Sequence, residues 1–279
     1  MKRTHCMMPR NILLLCGVSL MLISCGAGYN SNVNGGNGSG NGSGSGSAGG
    51  GSQVNSNGVE GVYSGIASSG YTFWTIILPN NQLYGIYATV HGNQLLLDGM
   101  IVGQGTMNSS GYTASVTDFP YTGSAKSGTF SASDFTGASL DGTLTEGATV
   151  TTFYAPSMMG SIWDYGTTFT TPASLSSISG TWTGTLLDGM TTTVTISSAG
   201  GVTGSSSGCS FTGTAVPDNS RTNFYDVSLT FGGNPCAFPN QTANGIAVEY
   251  LLSDNVTNQF LVAVTVGNSA GTVFAAERQ

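Results

Sequence analysis

Charge is what this chain has least of. Asp, Glu, Lys and Arg together make up 7% of its 279 residues, against about a quarter in ordinary soluble domains. Six residues are Lys or Arg, and three of them, Lys2, Arg3 and Arg10, stand ahead of an apolar run near the N-terminus. The rest of the chain holds three basic residues against thirteen acidic ones, a net charge of −10. That balance excludes nucleic acid as a partner, because such binding rests on cationic contacts to phosphate. Histidine is scarcer still: there are two, and only His91 lies beyond the apolar run. One histidine cannot build a histidine cluster for a metal, and no metal or cofactor is expected. Long apolar stretches are also missing. The longest, "ILLLCGVSLMLI" over residues 12–23, is shorter than the roughly 20 residues a membrane helix needs.

Glycine, with 43 residues, and Ser, Thr and Asn take the place of charge, a usage that suits exported β proteins. A basic head followed by a short apolar stretch is the pattern of an export signal. Residues 1–24 are therefore expected to be a signal peptide. The run closes on Leu22-Ile23-Ser24-Cys25, which resembles the lipobox of bacterial lipoproteins. The resemblance implies that Cys25 is lipidated and becomes the first residue of the mature chain. Cys16 lies in the same run, but Leu15 before it is too bulky for the pattern. Gly26 after the anchor resembles the sorting signal that releases lipoproteins to the outer membrane of Gram-negative cells. A lipid-anchored outer-membrane protein is expected, with the membrane as its first partner.

Of five cysteines, Cys6 and Cys16 would leave with the signal, and Cys25 would carry the lipid. Cys209 and Cys236 remain, in a compartment that permits disulfides. They are expected to pair. A free thiol or a metal pair is the alternative, with no histidine nearby to support it.

Residues 25–58 read as the anchor and a flexible tether, because "GGNGSGNGSGSGSAGGG" lacks the apolar content to fold. Folding should begin near Val59, where the sequence repeats itself. "GVYSGIASSGYTFWTIILPNNQLYG" (61–85) aligns without a gap on "GTWTGTLLDGMTTTVTISSAGGVTG" (180–204), at an offset of 119. Gly61, Gly65, Gly70 and Gly85 fall on Gly180, Gly184, Gly189 and Gly204, and Tyr63 falls on Trp182. Within the copies, apolar residues alternate with polar ones. Thr192, Val194 and Ile196 share one face, as do Tyr225, Val227 and Leu229, and again Phe260, Val262 and Val264. The fold expected is all-β: two tandem small antiparallel barrels or sandwiches, over 59–155 and 179–279, joined by a connector over 156–178. The best helical candidate is one turn at Thr171-Pro172-Ala173-Ser174-Leu175.

The lipobox, the tether, the paired openings at Gly61-Val62-Tyr63 and Gly180-Thr181-Trp182, and "GCSFTGTAVP" resemble a group of two-domain proteobacterial outer-membrane lipoproteins, mostly uncharacterised. More distantly, the tethered all-β layout is similar to that of the transferrin-binding and factor-H-binding surface lipoproteins. Only architecture is implied, because no binding loop of either is matched.

Chemistry is sparse. Gly267-Asn268-Ser269-Ala270-Gly271 fits the nucleophile-elbow pattern, but no helix and no histidine follow it, so a hairpin turn is expected. Asp98-Gly99 and Asp188-Gly189, with Asp141-Gly142 close behind, read as hairpin turns rather than a catalytic pair, since the acids do not align at the offset. Tyr71, Phe73, Trp74, Tyr84 and Tyr87, and a cluster of Met158, Met159, Trp163 and Tyr165 in the connector, either pack the barrels or form a recognition surface. The function expected is non-catalytic binding or adhesion to a protein or glycan. The alternatives are a periplasmic inhibitor or envelope-assembly factor, and a glycan-active enzyme.

Overall fold

The computed structural model describes residues 59–279 except 92–93, 110, 135–138, 158–168, 221, 253–255 and 279. The expected anchor Cys25, the tether, and the cluster of Met158, Met159, Trp163 and Tyr165 lie outside the described residues. Eight strands make the first barrel: β1 (Gly61–Ala67), β2 (Thr72–Ile77), β3 (Gln82–His91), β4 (Gln94–Asn108), β5 (Gly111–Pro120), β6 (Lys126–Asp134), β7 (Ser139–Glu146) and β8 (Thr149–Pro156). One helical turn, α1 (Leu175–Ile178), precedes the second: β9 (Gly180–Leu186), β10 (Thr191–Ile196), β11 (Gly201–Ser206), β12 (Cys209–Pro217), β13 (Tyr225–Phe231), β14 (Thr242–Leu251), β15 (Asn258–Val266) and β16 (Ala270–Arg278). Each strand runs antiparallel to the next, and the last pairs with the first, so both sheets are closed barrels. Closure removes the unpaired edges that make open sheets prone to aggregate.

The alternation legible in the sequence sets what faces inward. Thr192, Val194 and Ile196 are buried while Thr191 and Thr195 are exposed, and Val227 and Leu229 point in beside the exposed Asp226. Closing each ring needs a glycine. A Cβ on Gly65 would stand 1.9 Å from the Tyr154 carbonyl oxygen of β8, and one on Gly184 would stand 2.0 Å from that of Ala275 on β16. These two glycines are 119 residues apart, and each lets a first strand cross close over a last one. The aromatic pair at the same offset plugs the barrel ends. Tyr63 donates its hydroxyl to the Val59 carbonyl at 2.9 Å, and Trp182 donates Nε1–H to the Ile178 carbonyl at 2.8 Å.

The helical turn falls three residues beyond the expected start, with Ser174 rather than Thr171 at its N-cap position. Tertiary contacts decide this. The Tyr225 hydroxyl donates to the Ser174 carbonyl at 2.8 Å and accepts from the Ser174 N–H at 3.1 Å, and fully buried Ile178 closes the barrel beneath it.

Both barrels belong to one compact unit. They meet on two apolar patches, one of Met100 and Phe119 with Val273, the other of Val62, Ile76 and Leu78 with Phe224 and Ile246. Gly271 permits the first contact, since a Cβ there would lie 2.9 Å from the Phe119 ring.

Candidate functional site

An eight-stranded barrel is just wide enough to be filled by side chains or to hold one small ligand. In the first barrel, aromatic rings pack against one another in the interior: Phe130 stacks on Phe153 at 4.6 Å between centroids, Phe73 meets Phe153 edge-on at 5.7 Å, and Tyr112 meets Phe130 at 6.2 Å. At one end of that barrel, the Tyr87 hydroxyl donates to Asp118 Oδ1 at 2.7 Å, and Glu146 is hydrogen-bonded to the same carboxylate. Burial raises the Asp118 pKa against the opposing pull of Tyr87, Lys126 and Glu146. Burial, then the Asp118 charge, raises that of Glu146. Burial and the bond to Asp118 hold the Tyr87 phenol far above its usual value.

The second barrel also packs rings, Phe211 against Phe231 at 6.2 Å and Phe260 against Phe274 at 6.5 Å, but one end of its interior opens into a cavity of about 410 Å³, within the range typical of small-molecule sites. The residues that project into it are small or aliphatic: Val194, Ala215, Val227, Ala243, Val262 and Val264, with Phe211, Phe260 and Phe274. Ile196 and Val202 lie deeper. Trp182 stacks on Phe260 at 5.0 Å and so closes the floor, next to α1. The Arg278 guanidinium covers the Trp182 ring at 4.1 Å and donates to the carbonyls of Ser177 and Ser179 at 2.7 and 2.9 Å.

The mouth lies at the opposite end, among the β9–β10, β11–β12, β13–β14 and β15–β16 connections. Polar lining residues gather there: Asp188, Thr192, Ser206, Ser207 and Thr272. The first barrel completes the rim with Pro120 and Tyr121, and the Tyr121 N–H is fixed to the Asp98 carbonyl at 2.6 Å. Cys209 and Cys236 form a disulfide that ties the start of β12 to the long β13–β14 connection, whose Pro235, Ala237 and Phe238 also line the mouth. Closing a loop of 27 residues is worth about 3–4 kcal/mol in the chain-entropy model. Replacing both cysteines by serine should lower stability by about that amount, readable as a shift in urea midpoint. An unchanged midpoint would count against the brace.

The sequence-predicted residues fall as follows. Asp188-Gly189 is the β9–β10 turn, with Gly189 at φ 78° and Asp188 Oδ1 accepting from the Met190 N–H at 3.0 Å. Asp98-Gly99 is a correction: it lies within β4, where Asp98 is the extra residue of a bulge opposite Tyr87 and Ala88. The Tyr87 ring lies across Gly99, with its hydroxyl 2.2 Å from where a Cβ would be, so the glycine serves packing, not a turn. Asp141-Gly142 likewise sits inside β7. Ser269 is in the β15–β16 hairpin and donates to the Val266 carbonyl at 2.7 Å. His91 ends β3. Of the aromatics, Phe73 is inside the first barrel and Tyr71 packs on Tyr87 at 5.1 Å. Tyr84 lies between the barrels, its phenol pushed up to about 12 by burial and then by Asp226. Among the described residues no three His, Cys, Asp or Glu side chains are grouped to hold a metal ion.

The fold and cavity thus define a pair of closed eight-stranded barrels, the second of which opens at one end as a cup. No protein-family model matches this sequence, and no curated protein matches it. A crystal structure from Nostoc punctiforme PCC 73102, of a protein with unknown function from the DUF3598 family, is similar over 79% of this chain and 94% of that one. Its identity is 13% and its TM-score 0.26, too low to bear on fold or function.

Proposed function

We propose that this chain is a lipid-anchored, non-catalytic binding protein whose second barrel holds a small apolar molecule. One observation carries the reading: a cup open at one end and lined by aliphatic and aromatic side chains, with polar groups gathered at its rim. An empty apolar cavity of this size leaves its walls without partner atoms, a cost that an apolar ligand removes. The Ser269 hydroxyl is used within its own hairpin, and the Asp118–Glu146–Tyr87 group is tied together inside the first barrel, which supports binding over catalysis. The lipobox at Leu22–Cys25 and the glycine-rich tether support an outer-membrane anchor that leaves the barrels free to meet ligand.

Both halves of the reading can be tested on the full-length protein. A neutral fluorescent probe such as N-phenyl-1-naphthylamine should bind with a stoichiometry of one and brighten on entering the cup. Cys25→Ser should abolish incorporation of labelled palmitate while leaving probe binding intact. Failure of the probe to bind would remove the ligand reading. Palmitate incorporation undiminished in the serine variant would remove the anchor.

A further inference from the structure

The rim of the cup also bears on the chemical class of its occupant. We infer, resting on the reading that the cup is a ligand site, that it selects an apolar molecule ending in an uncharged hydrogen-bonding group, and refuses carboxylates and other anions.

Two hydroxyls carry the first half. Thr192 on β10 and Ser206 on β11 are directly opposite each other in the register and both line the cup. They are 1% and 7% exposed. Their bonds within the protein are long: Thr192 Oγ1 to the Met190 carbonyl at 3.4 Å, and Ser206 Oγ to the Thr191 carbonyl at 3.5 Å. Good O–H···O bonds fall at about 2.5–3.0 Å, so both hydroxyls are poorly satisfied where water has little access. Each can donate once and accept twice. A hydroxyl, carbonyl or amide brought to this pair would give them shorter bonds than the two they make within the protein, while the rest of the ligand rests on the Val194, Val227 and Val262 walls below. Poorly paired buried polar groups carry a penalty, and a ligand that relieves it binds by the difference.

Charge carries the second half. An anion held at an apolar mouth needs a cation, since desolvating a bare carboxylate is costly. Asp188 is the one charged side chain among the lining residues. Arg278 is at the floor, committed to Ser177, Ser179 and Trp182. The Lys126 charge acts on Asp118 and Glu146 in the first barrel. Arg221, in the β12–β13 connection, lies outside the described residues. An approaching anion therefore meets a carboxylate on the rim and an excess of acidic residues beyond it. An alcohol or ketone meets neither cost.

The test is competition for the neutral probe by two ligands with the same chain, dodecanol and dodecanoate, at about pH 8, where the acid is ionised. Dodecanol should displace the probe at a concentration about tenfold or more below that of dodecanoate. Asp188→Asn should narrow that gap. Thr192→Val, which keeps the shape and removes the hydroxyl, should weaken dodecanol several-fold more than it weakens the probe. Displacement by dodecanoate as readily as by dodecanol would overturn the inference and leave the cup as a binding site. A protein that takes up no probe at all would overturn the cup and the inference together.

Discussion

Arg278→Ala is expected to cost about 3 kcal/mol, the sum of two charge-assisted hydrogen bonds and a cation–π contact discounted for partial exposure. The guanidinium closes the floor of the second barrel by three contacts at once. It lies over Trp182, and its two donors reach the carbonyls of Ser177 and Ser179, at the end of a single helical turn whose last carbonyls have no partners of their own kind. Losing it would free α1, lift Ile178 from the barrel end, and admit water beneath Phe260. Lysine should rescue little, because an ammonium cannot stack flat on an indole and fork to two carbonyls together. Trp182→Ala should be at least as damaging, about 3–5 kcal/mol as for other buried aromatics. Urea denaturation measures both. A loss below about 1 kcal/mol for Arg278→Ala would mean that the floor is held by the apolar contacts alone.

The second large effect concerns binding and should leave stability nearly untouched. Ala243 on β14 is 1% exposed, pairs across the ladder with Leu229 and lines the cup. Ala243→Trp would project an indole into the cavity and occupy the space a ligand needs. The probe affinity should fall by about a hundredfold or more, equivalent to about 3 kcal/mol. Overpacking normally costs about 1–3 kcal/mol, but the indole here enters open volume, so the thermal midpoint should move by only a few degrees. Thr242→Trp is the control, since Thr242 is exposed on the outside of the same strand. Undiminished binding in Ala243→Trp would locate the ligand elsewhere.

Some of this was readable from the residues. The period of two at Thr192, Val194 and Ile196 put the correct side chains inside. The 119-residue offset matched the glycines that close each ring and the aromatics that plug each end, because both are local geometric demands made twice. The disulfide followed from compartment and count. What stayed hidden depends on sums over many strands. Whether eight inner faces leave a void like the one beside Val227, Ala243 and Val262 depends on the combined size of all the side chains they carry, and no single strand reveals it. The Arg278 clamp was hidden for a similar reason, since its partner Trp182 is at the other end of the barrel sequence and meets it only when β16 pairs with β9. The Asp98-Gly99 pair misled because a glycine needed under a tyrosine ring looks, in sequence, like one needed in a turn.

The cavity in the second barrel also bears on how such a protein can change. A barrel packed with touching rings constrains each position by its neighbours: altering Phe130 disturbs Phe153 and Tyr112 together. A barrel with an open centre has slack. Side chains around its cup border open volume on one side, so a larger one there meets space before it meets a neighbour, while Pro120 and Tyr121 of the first barrel stand at the rim. On the binding reading proposed above, variation in ligand preference would accumulate around the cup in the second copy of the repeat.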